Sequence, residues 1–360
     1  MKTGKITCAA LLAASIVAAS CDRTIHEYPV PQDSLIILEA NVNRNQPLYF
    51  KEVIYDENGN RTEKELEEKE AQPYFPSDRL EMRIIMDIYK GDASEKSPSR
   101  ERACRKIVYV ENIADMPQDT MHVRLPDGKY YVLGWADYVL KEAHSGTYET
   151  DSLTNIRTDI DAYPRNPHHR SSGAGNSEFN IDFSLTQEGY PIMKSSGEII
   201  ESRIVPVNME RPSGRYRVIA DDYEDFINTG GEIDSLTIKV VYKQYISTGF
   251  NVATMEPNHF TSTYSFNVRP SDIEYDGKHE ASLFGDYIFT TNGGSVTNII
   301  ADFYFYDSDG KEINHCQNIE IPLKRDHETI VRGYFLTREL GSENIIGIDE
   351  NFEGEITVEI

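Results

Sequence analysis

The sequence predicts an all-β protein, with two β-sandwich domains in tandem behind a short apolar leader. Three observations carry this. Apolar residues recur at every second position in many separate stretches, the period of a strand with one buried face. Turn-forming clusters break those stretches at close intervals, as they do in sandwiches. Tyr is used 22 times against a single Trp, a bias that suits half-exposed strands better than helices.

The leader comes first. Lys2 and Lys5 precede an Ala-rich apolar run from Ile6 to Ala19. Charge followed by a short apolar run is the layout of a secretory signal, too short for a comfortable membrane span. Small residues Ala18, Ala19 and Ser20 lead directly into Cys21 in "SIVAASCDR". This resembles the lipobox of bacterial lipoproteins, whose cysteine is acylated and becomes the new N-terminus. The resemblance implies a leader over 1–20, lipid (palmitate and its partner chains) on Cys21, and a tether over 21–34. Several acyl chains on one cysteine satisfy the rule that stable anchoring needs more than one.

Strand signals follow in order. "SLIILEANV" (34–42) opens the first sandwich, expected over 35–200. In "LEMRIIMDIY" (80–89), Leu80, Met82, Ile84, Met86 and Ile88 alternate with polar residues, and only Ile85 is out of step. "KIVYVE" (106–111), "MHVRL" (121–125) and "KYYVLGWADYV" (129–139) repeat the pattern, with a tight-turn signal at Pro126-Asp127-Gly128. The second sandwich, expected over 201–360, reads "RYRVIA" (215–220), "SLTIKVVYKQYI" (235–246), "STYSFNV" (262–268), "DYIFTT" (286–291) and "SVTNIIADFYFYD" (295–307). "NIEIPL" (318–323), "ETIVRGYFLT" (328–337) and "GEITVEI" (354–360) complete it. Asn292-Gly293-Gly294 and Asp307-Ser308-Asp309-Gly310 read as hairpin loops. The charged run "EKELEEKEAQ" (63–72) has no apolar face to dock a helix and reads as a solvated loop. A second irregular region, from about 141 to 175, contains "AYPRNPHHRSSGAGN" and reads as a long loop.

The net charge is −24, and loss of the two leader lysines makes the remainder more acidic still. Such a balance repels nucleic acid and anionic lipid surfaces. No segment after the leader reaches the ~18 consecutive apolar residues of a membrane span. Of the four cysteines, Cys8 leaves with the leader and Cys21 carries lipid. Cys104 and Cys316 leave one long-range disulfide open, with two separate buried thiols the favoured reading, and two cysteines build no disulfide framework.

Catalytic and metal motifs fail on spacing. His-Glu occurs at His26-Glu27, His279-Glu280 and His327-Glu328, but the second histidine of a zinc helix is replaced by Val30, Leu283 and Val331. Nucleophile-elbow and phosphate-loop glycine patterns are missing from the sequence. His168-His169, near Asp159 and Asp161, reads as loop, because adjacent side chains diverge. "DSDGKE" (307–312) starts like a calcium loop but lacks its later ligands and reads as a turn. The expectation is a non-enzymatic protein with no cofactor. Trp135, Arg211 and Pro212 read as structural: core packing for the first, ion pairing and a strand edge for the other two.

Several segments together resemble the Bacteroidales fimbrillin-type lipoproteins. "LPDGKYYVLGWADYV" (125–139) is similar to a segment of their first domain, and "VPVNMERPSGRYRVIADD" (205–222) to the opening of their second. "IPLKRDHETIVRGYFLT" and "GIDENFEGEITVEI" also resemble that family, while Gly214 stands where the family often has Ala. The resemblance implies transthyretin-like sandwiches, assembly with other fimbrial subunits by strand exchange, and an outer-membrane, surface-exposed location. It implies a fimbrial anchor or fimbrillin-like adhesion subunit. In shaft subunits a trypsin-like cut after an early arginine frees a groove; Arg44 and Arg61 are the available positions. Asp-Ser/Thr-apolar triplets at Ser34, Thr120, Ser152 and Ser235 resemble the O-glycosylation acceptor of exported proteins in these bacteria, with Ser152 the leading candidate. The alternative reading is a surface glycan-binding lipoprotein of a polysaccharide-uptake system, in which exposed aromatics would stack on sugar.

Overall fold

A computed structural model describes residues 33–72, 80–91, 102–110, 121–160, 170–183, 191–195, 198–269, 274–275, 281–338 and 340. Cys21, Thr120, His168, His169 and the strand expected over 354–360 lie outside them.

The first sandwich has a three-stranded and a six-stranded sheet. The smaller sheet places β1 (Ser34–Val42) between β6 (His122–Leu125) and β13 (Ile204–Met209). The larger runs β12 (Glu198–Glu201), β11 (Pro191–Ser195), β10 (Ser172–Ile181), β7 (Gly128–Leu140), β4 (Leu80–Lys90) and β5 (Arg102–Val110). Between them lies a core that includes Ile36, Leu38, Ile84, Met86, Val132 and Val207.

The second sandwich faces a six-stranded sheet against a four-stranded one. The first runs β21 (Glu274–Tyr275), β22 (Ala281–Phe289), β14 (Ser213–Ala220), β25 (His327–Gly333), β2 (Leu48–Tyr55) and β3 (Arg61–Glu65). The second runs β20 (Ser265–Val268), β15 (Thr237–Tyr242), β23 (Thr297–Tyr306) and β24 (Glu312–Leu323). Their shared core includes Val53, Tyr216, Ile238, Phe303, Ile321 and Phe335. Helix α1 (Tyr223–Asn228) contributes Phe226 to it.

Two segments trade places across the expected 35–200 and 201–360 division. β2 and β3 belong to the second sandwich's sheet, while β13 pairs with β1 in the first. The chain therefore crosses to the second sandwich at 43–47, returns to the first between β3 and β4, and crosses again at 210–212. The first part of the charged run, 63–65, is not loop but the end of edge strand β3, paired to β2 from Tyr55–Arg61 to Lys51–Glu65. Charged residues suit such an edge, since they discourage pairing with foreign strands. Asp307–Gly310 does close a hairpin between β23 and β24. Asn292-Gly293-Gly294 instead carries the chain from one sheet to the facing one, because β22 and β23 lie in different sheets.

The large sheet of the first sandwich is covered on both faces. Its inner face meets the small sheet. On its outer face Ile85, Tyr131, Leu133 and Trp135 pack against Tyr148, Leu153 and Ile156, and against Phe250, Val252 and Phe289 of the second half. That second contact explains why Ile85 breaks the alternation of β4: it is core on the opposite face. Short strands build this seam. β9 (Ile156–Thr158) pairs with β8 (Tyr148–Glu149) and with β17 (Gly249–Asn251), which also meets β18 (Glu256–Pro257). β16 (Ile246–Ser247) and β19 (Thr261–Ser262) form a separate pair. The described part of the region expected as one long loop thus carries β8, β9 and the start of β10, and its short strands lie between the sandwiches.

Candidate functional site

The site with functional geometry is the first strand and the crossing that follows it. Alternation seats Ile36 and Leu38 in the core at 0% and 1% exposure, with Leu35, Ile37 and Glu39 half-buried on the other face. β1 runs parallel to β13, from Ile37–Ile204 to Val42–Met209, and antiparallel to β6, from Ser34–Leu125 to Ile37–His122. Main-chain bonds continue past both ends of that register: Ile37 N–H donates to Arg203 O at 2.8 Å and Asn43 N–H to Met209 O at 2.8 Å. With β1 gone, β13 and β6 would face each other as two unpaired edges two strand spacings apart, ~9–10 Å.

The crossing itself is open to solvent. Arg44 is exposed, on the rim of a cleft of about 500 Å³ that Asn41, Asn43, Asn45, Asn208 and Glu210 also line. One cation ties the crossing at 43–47 to the one at 210–212. The Arg211 guanidinium donates to Asn45 O at 2.9 Å and pairs with Asp326. Asp326 N–H in turn bonds Ser213 O at 3.0 Å, and its own carbonyl accepts from Leu48 N–H at 3.0 Å. Arg211 is thus structural, as its pairing with a carboxylate implies. Arg61 sits differently. It begins β3, half-buried, and pairs with Glu63 and, at 3.6 Å, with Glu320.

Close backbone contacts fix β13 over the large sheet. A methyl group on Gly175 would lie 2.0 Å from Asn208 O, and one on Gly134 would lie 2.4 Å from Met209 Cε. These glycines let β13 pass directly across β7 and β10, where the main chains of Ala174 and Glu210 exchange bonds of 2.8 and 2.9 Å. Gly214 has the same logic: a Cβ there would meet Lys324 O at 2.8 Å. The departure from Ala at this position thus matches a tight approach of the neighbouring turn.

The glycosylation candidates separate by environment. Ser34 is 4% exposed, within a paired strand. Ser152 is half-buried, its Oγ 2.9 Å from Thr154 Oγ1, and the next residue, Leu153, lies in the seam. Ser235 is half-buried in a 3₁₀ turn and donates to Glu232 O at 3.0 Å. Cys104 and Cys316 are not joined in a disulfide, and Cys316 is buried near the Phe335 and Arg338 carbonyls. Among the described residues no His/Cys/Asp/Glu group is arranged to hold a metal, and no helix is long and apolar enough to cross a membrane. In the turn at 307–310 the Asp307 carboxylate accepts the N–H groups of Asp309 and Lys311 at 3.0 and 2.9 Å, which occupies it as a turn cap.

What the sequence reading missed is a set of buried charges around the seam. Arg83 reaches Asp137 at 2.9 and 2.6 Å, and Arg105 reaches Asp87 at 2.6 and 2.7 Å, each across neighbouring strands. Burial pushes the Asp137 carboxyl above its usual range, against the pull of Arg83. Arg215 and Arg217 share Glu328 at 2.7 and 3.0 Å. Arg170, at the end of the presumed solvated loop, is 1% exposed and pairs with Asp286 of the second sandwich. Beside it, burial pushes the Tyr148 hydroxyl up to about 12. Trp135 is fully buried, its ring 5.2 Å from Tyr148, 6.3 Å from Phe289 and 6.4 Å from Phe250. It is a core residue and offers no face to a sugar.

Comparison with known sequences gives one family match: a family described as "Family of unknown function (DUF6562)" covers residues 51–360. No curated protein matches the chain. Among solved structures, the chain is similar to the fimbrial anchor protein Mfa2 from Porphyromonas gingivalis, with 10% identity, 77% of this chain and 81% of that one covered, and a TM-score of 0.32. It is also similar to a fimbrial assembly protein from Parabacteroides distasonis, with 11% identity, 82% and 92% covered, and a TM-score of 0.33.

Proposed function

The chain belongs to the DUF6562 family, and within it we propose that this member is a lipid-anchored fimbrial subunit that joins its neighbours by strand exchange. The observation that carries the reading is the setting of β1. A strand whose side chains plug the core, held between two main-chain edges and followed by an exposed arginine, is a replaceable part. A foreign strand of the same alternation would recover both ladders and refill the sites of Ile36 and Leu38.

The lipobox supports the anchor role over the shaft role. A cut after Arg44 would sever the body from lipid on Cys21, so an anchor keeps its own β1 in place, and the groove that β1 fills is the model for what a neighbouring subunit of the same fold offers to a donated strand. The proposed domain division follows the sheets, with 48–65 assigned to the second sandwich and 204–209 to the first. The reading needs no enzyme activity and no cofactor, and its partners are other fimbrial subunits at the outer membrane. Ser152 and Ser235 are the proposed glycan acceptors, since Ser34 is enclosed once the chain has folded.

Mass spectrometry of protein purified from its own membrane tests this. The expected result is acyl chains on Cys21, an intact peptide spanning Arg44, and co-purifying subunits. Cys21→Ser should move the protein out of the membrane fraction. A variant that stays membrane-bound without lipid would overturn the lipid anchor, and a preparation free of other subunits that binds soluble polysaccharide would replace the fimbrial reading with the glycan-binding one.

A further inference from the structure

One side chain crosses from the first half into the core of the second. Arg170 Nη1 lies 2.8 and 3.0 Å from the two carboxylate oxygens of Asp286 and 2.7 Å from the Tyr264 hydroxyl. Asp286 is 0% exposed. Its second oxygen accepts from the Tyr242 hydroxyl at 2.6 Å, and Tyr242 meets the Tyr216 hydroxyl at 2.7 Å. The Arg170 carbonyl accepts from the Tyr148 hydroxyl at 2.6 Å. The network therefore starts on the first sandwich's outer face and ends inside the second. Trp135, Phe250 and Phe289 pack alongside it.

We propose that the Arg170–Asp286 pair is a latch between the sandwiches, which sets their relative orientation and makes them unfold as one unit. The physical reason is the cost of opening. The apolar seam alone would separate at the price of exposed apolar surface. Separation with the pair in place also strands Asp286 among tyrosines with its cation withdrawn, and an unpaired buried charge is far more costly than an exposed one. The two halves are thereby held to all-or-none behaviour. Any pull between the start of β1 on one sandwich and the chain leaving Leu340 on the other passes through a fixed geometry. This holds whether or not the subunit is fimbrial.

Calorimetry of the full chain, with hydrogen exchange followed separately at Ile84–Ile88 of β4 and Ile299–Phe305 of β23, tests the latch. Wild type should show one transition and equal protection at the two strands. Arg170→Met should lower Tm by roughly 10 °C and split the transition, with the two strands losing protection at different temperatures. Arg170→Met with Asp286→Leu removes both charges. It should recover much of Tm while the transition stays split. Arg83→Met, which breaks a buried pair inside one sandwich, should lower Tm without splitting. If Arg170→Met does not fold, the double variant, which leaves no unpaired charge, carries the same reading. Two transitions in wild type, or a single shared transition in the variant that folds, would overturn the proposal.

Discussion

At the scale of single residues, burial separates structural from functional roles. Trp135 is enclosed on all sides, so Trp135→Ala should destabilise by about 3–5 kcal/mol in denaturant unfolding. Gly175→Ala should cost about 1–3 kcal/mol, because its Cβ would press on the Asn208 carbonyl and β13 must move to admit it. Asp222 gives a pH signature. Its carboxylate accepts the Thr337 hydroxyl at 2.7 Å and the N–H groups of Thr337 and Leu336 at 2.7 and 3.0 Å. Burial outweighs those bonds and leaves the carboxyl above its usual range. The folded chain therefore holds a proton there more readily than the unfolded one. The resulting stability is present in full below the ordinary aspartate range and is lost as pH rises through the raised value. Measured as Tm against pH, wild type should gain on Asp222→Asn as pH falls from neutral, and a constant gap between the two would contradict the assignment.

At the scale of elements, strands built on an apolar run were legible whether one face is buried, as in β15 and β23, or both, as in β7 and β14, and strands whose cause is tertiary were not. β23 and β15 alternate and were readable to within a few residues. β10 was not, because "SGAGN" looks like loop when read alone. Its glycines are there for the close passage of β13, a tertiary cause that no local pattern records. β2 was missed for the same kind of reason: it lies across the crossing from its neighbours in sequence, and its partner β25 is far along the chain. Its placement has a consequence for processing. A chain starting at 45 loses β1 but keeps β2, and should be rescued into soluble, protected form by a 34–42 peptide supplied in trans. A chain starting at 62 also loses β2, with Val53 and Tyr55 from the second core, and should not fold with or without that peptide. Hydrogen exchange on the two truncations distinguishes the cases. Equal behaviour would mean β2 is dispensable and would remove the preference for Arg44 over Arg61.

At the scale of the whole molecule, the question is where the second sandwich stops depending on its own chain. The last described contacts are firm. Asn314 Nδ2 donates to the Phe335 and Arg338 carbonyls at 2.6 and 2.9 Å. Leu340 then lies beside β24, where its carbonyl accepts from Gln317 N–H at 2.8 Å and its N–H donates to His315 O at 3.3 Å. Phe335, Leu336 and Leu340 all sit within the second core. If 354–360 serves as a donor to another subunit, deleting it should leave Tm within about 2 °C of wild type, since its own sandwich would lose no core contact. On the fimbrial reading the same deletion should abolish assembly with the next subunit, because the alternating sequence "GEITVEI" suits pairing with a foreign edge. A large fall in Tm would show instead that this strand completes its own sandwich. Unchanged Tm with unchanged assembly would move the exchanged strand elsewhere, and β1 would then be the element to test, by Ile36→Asp.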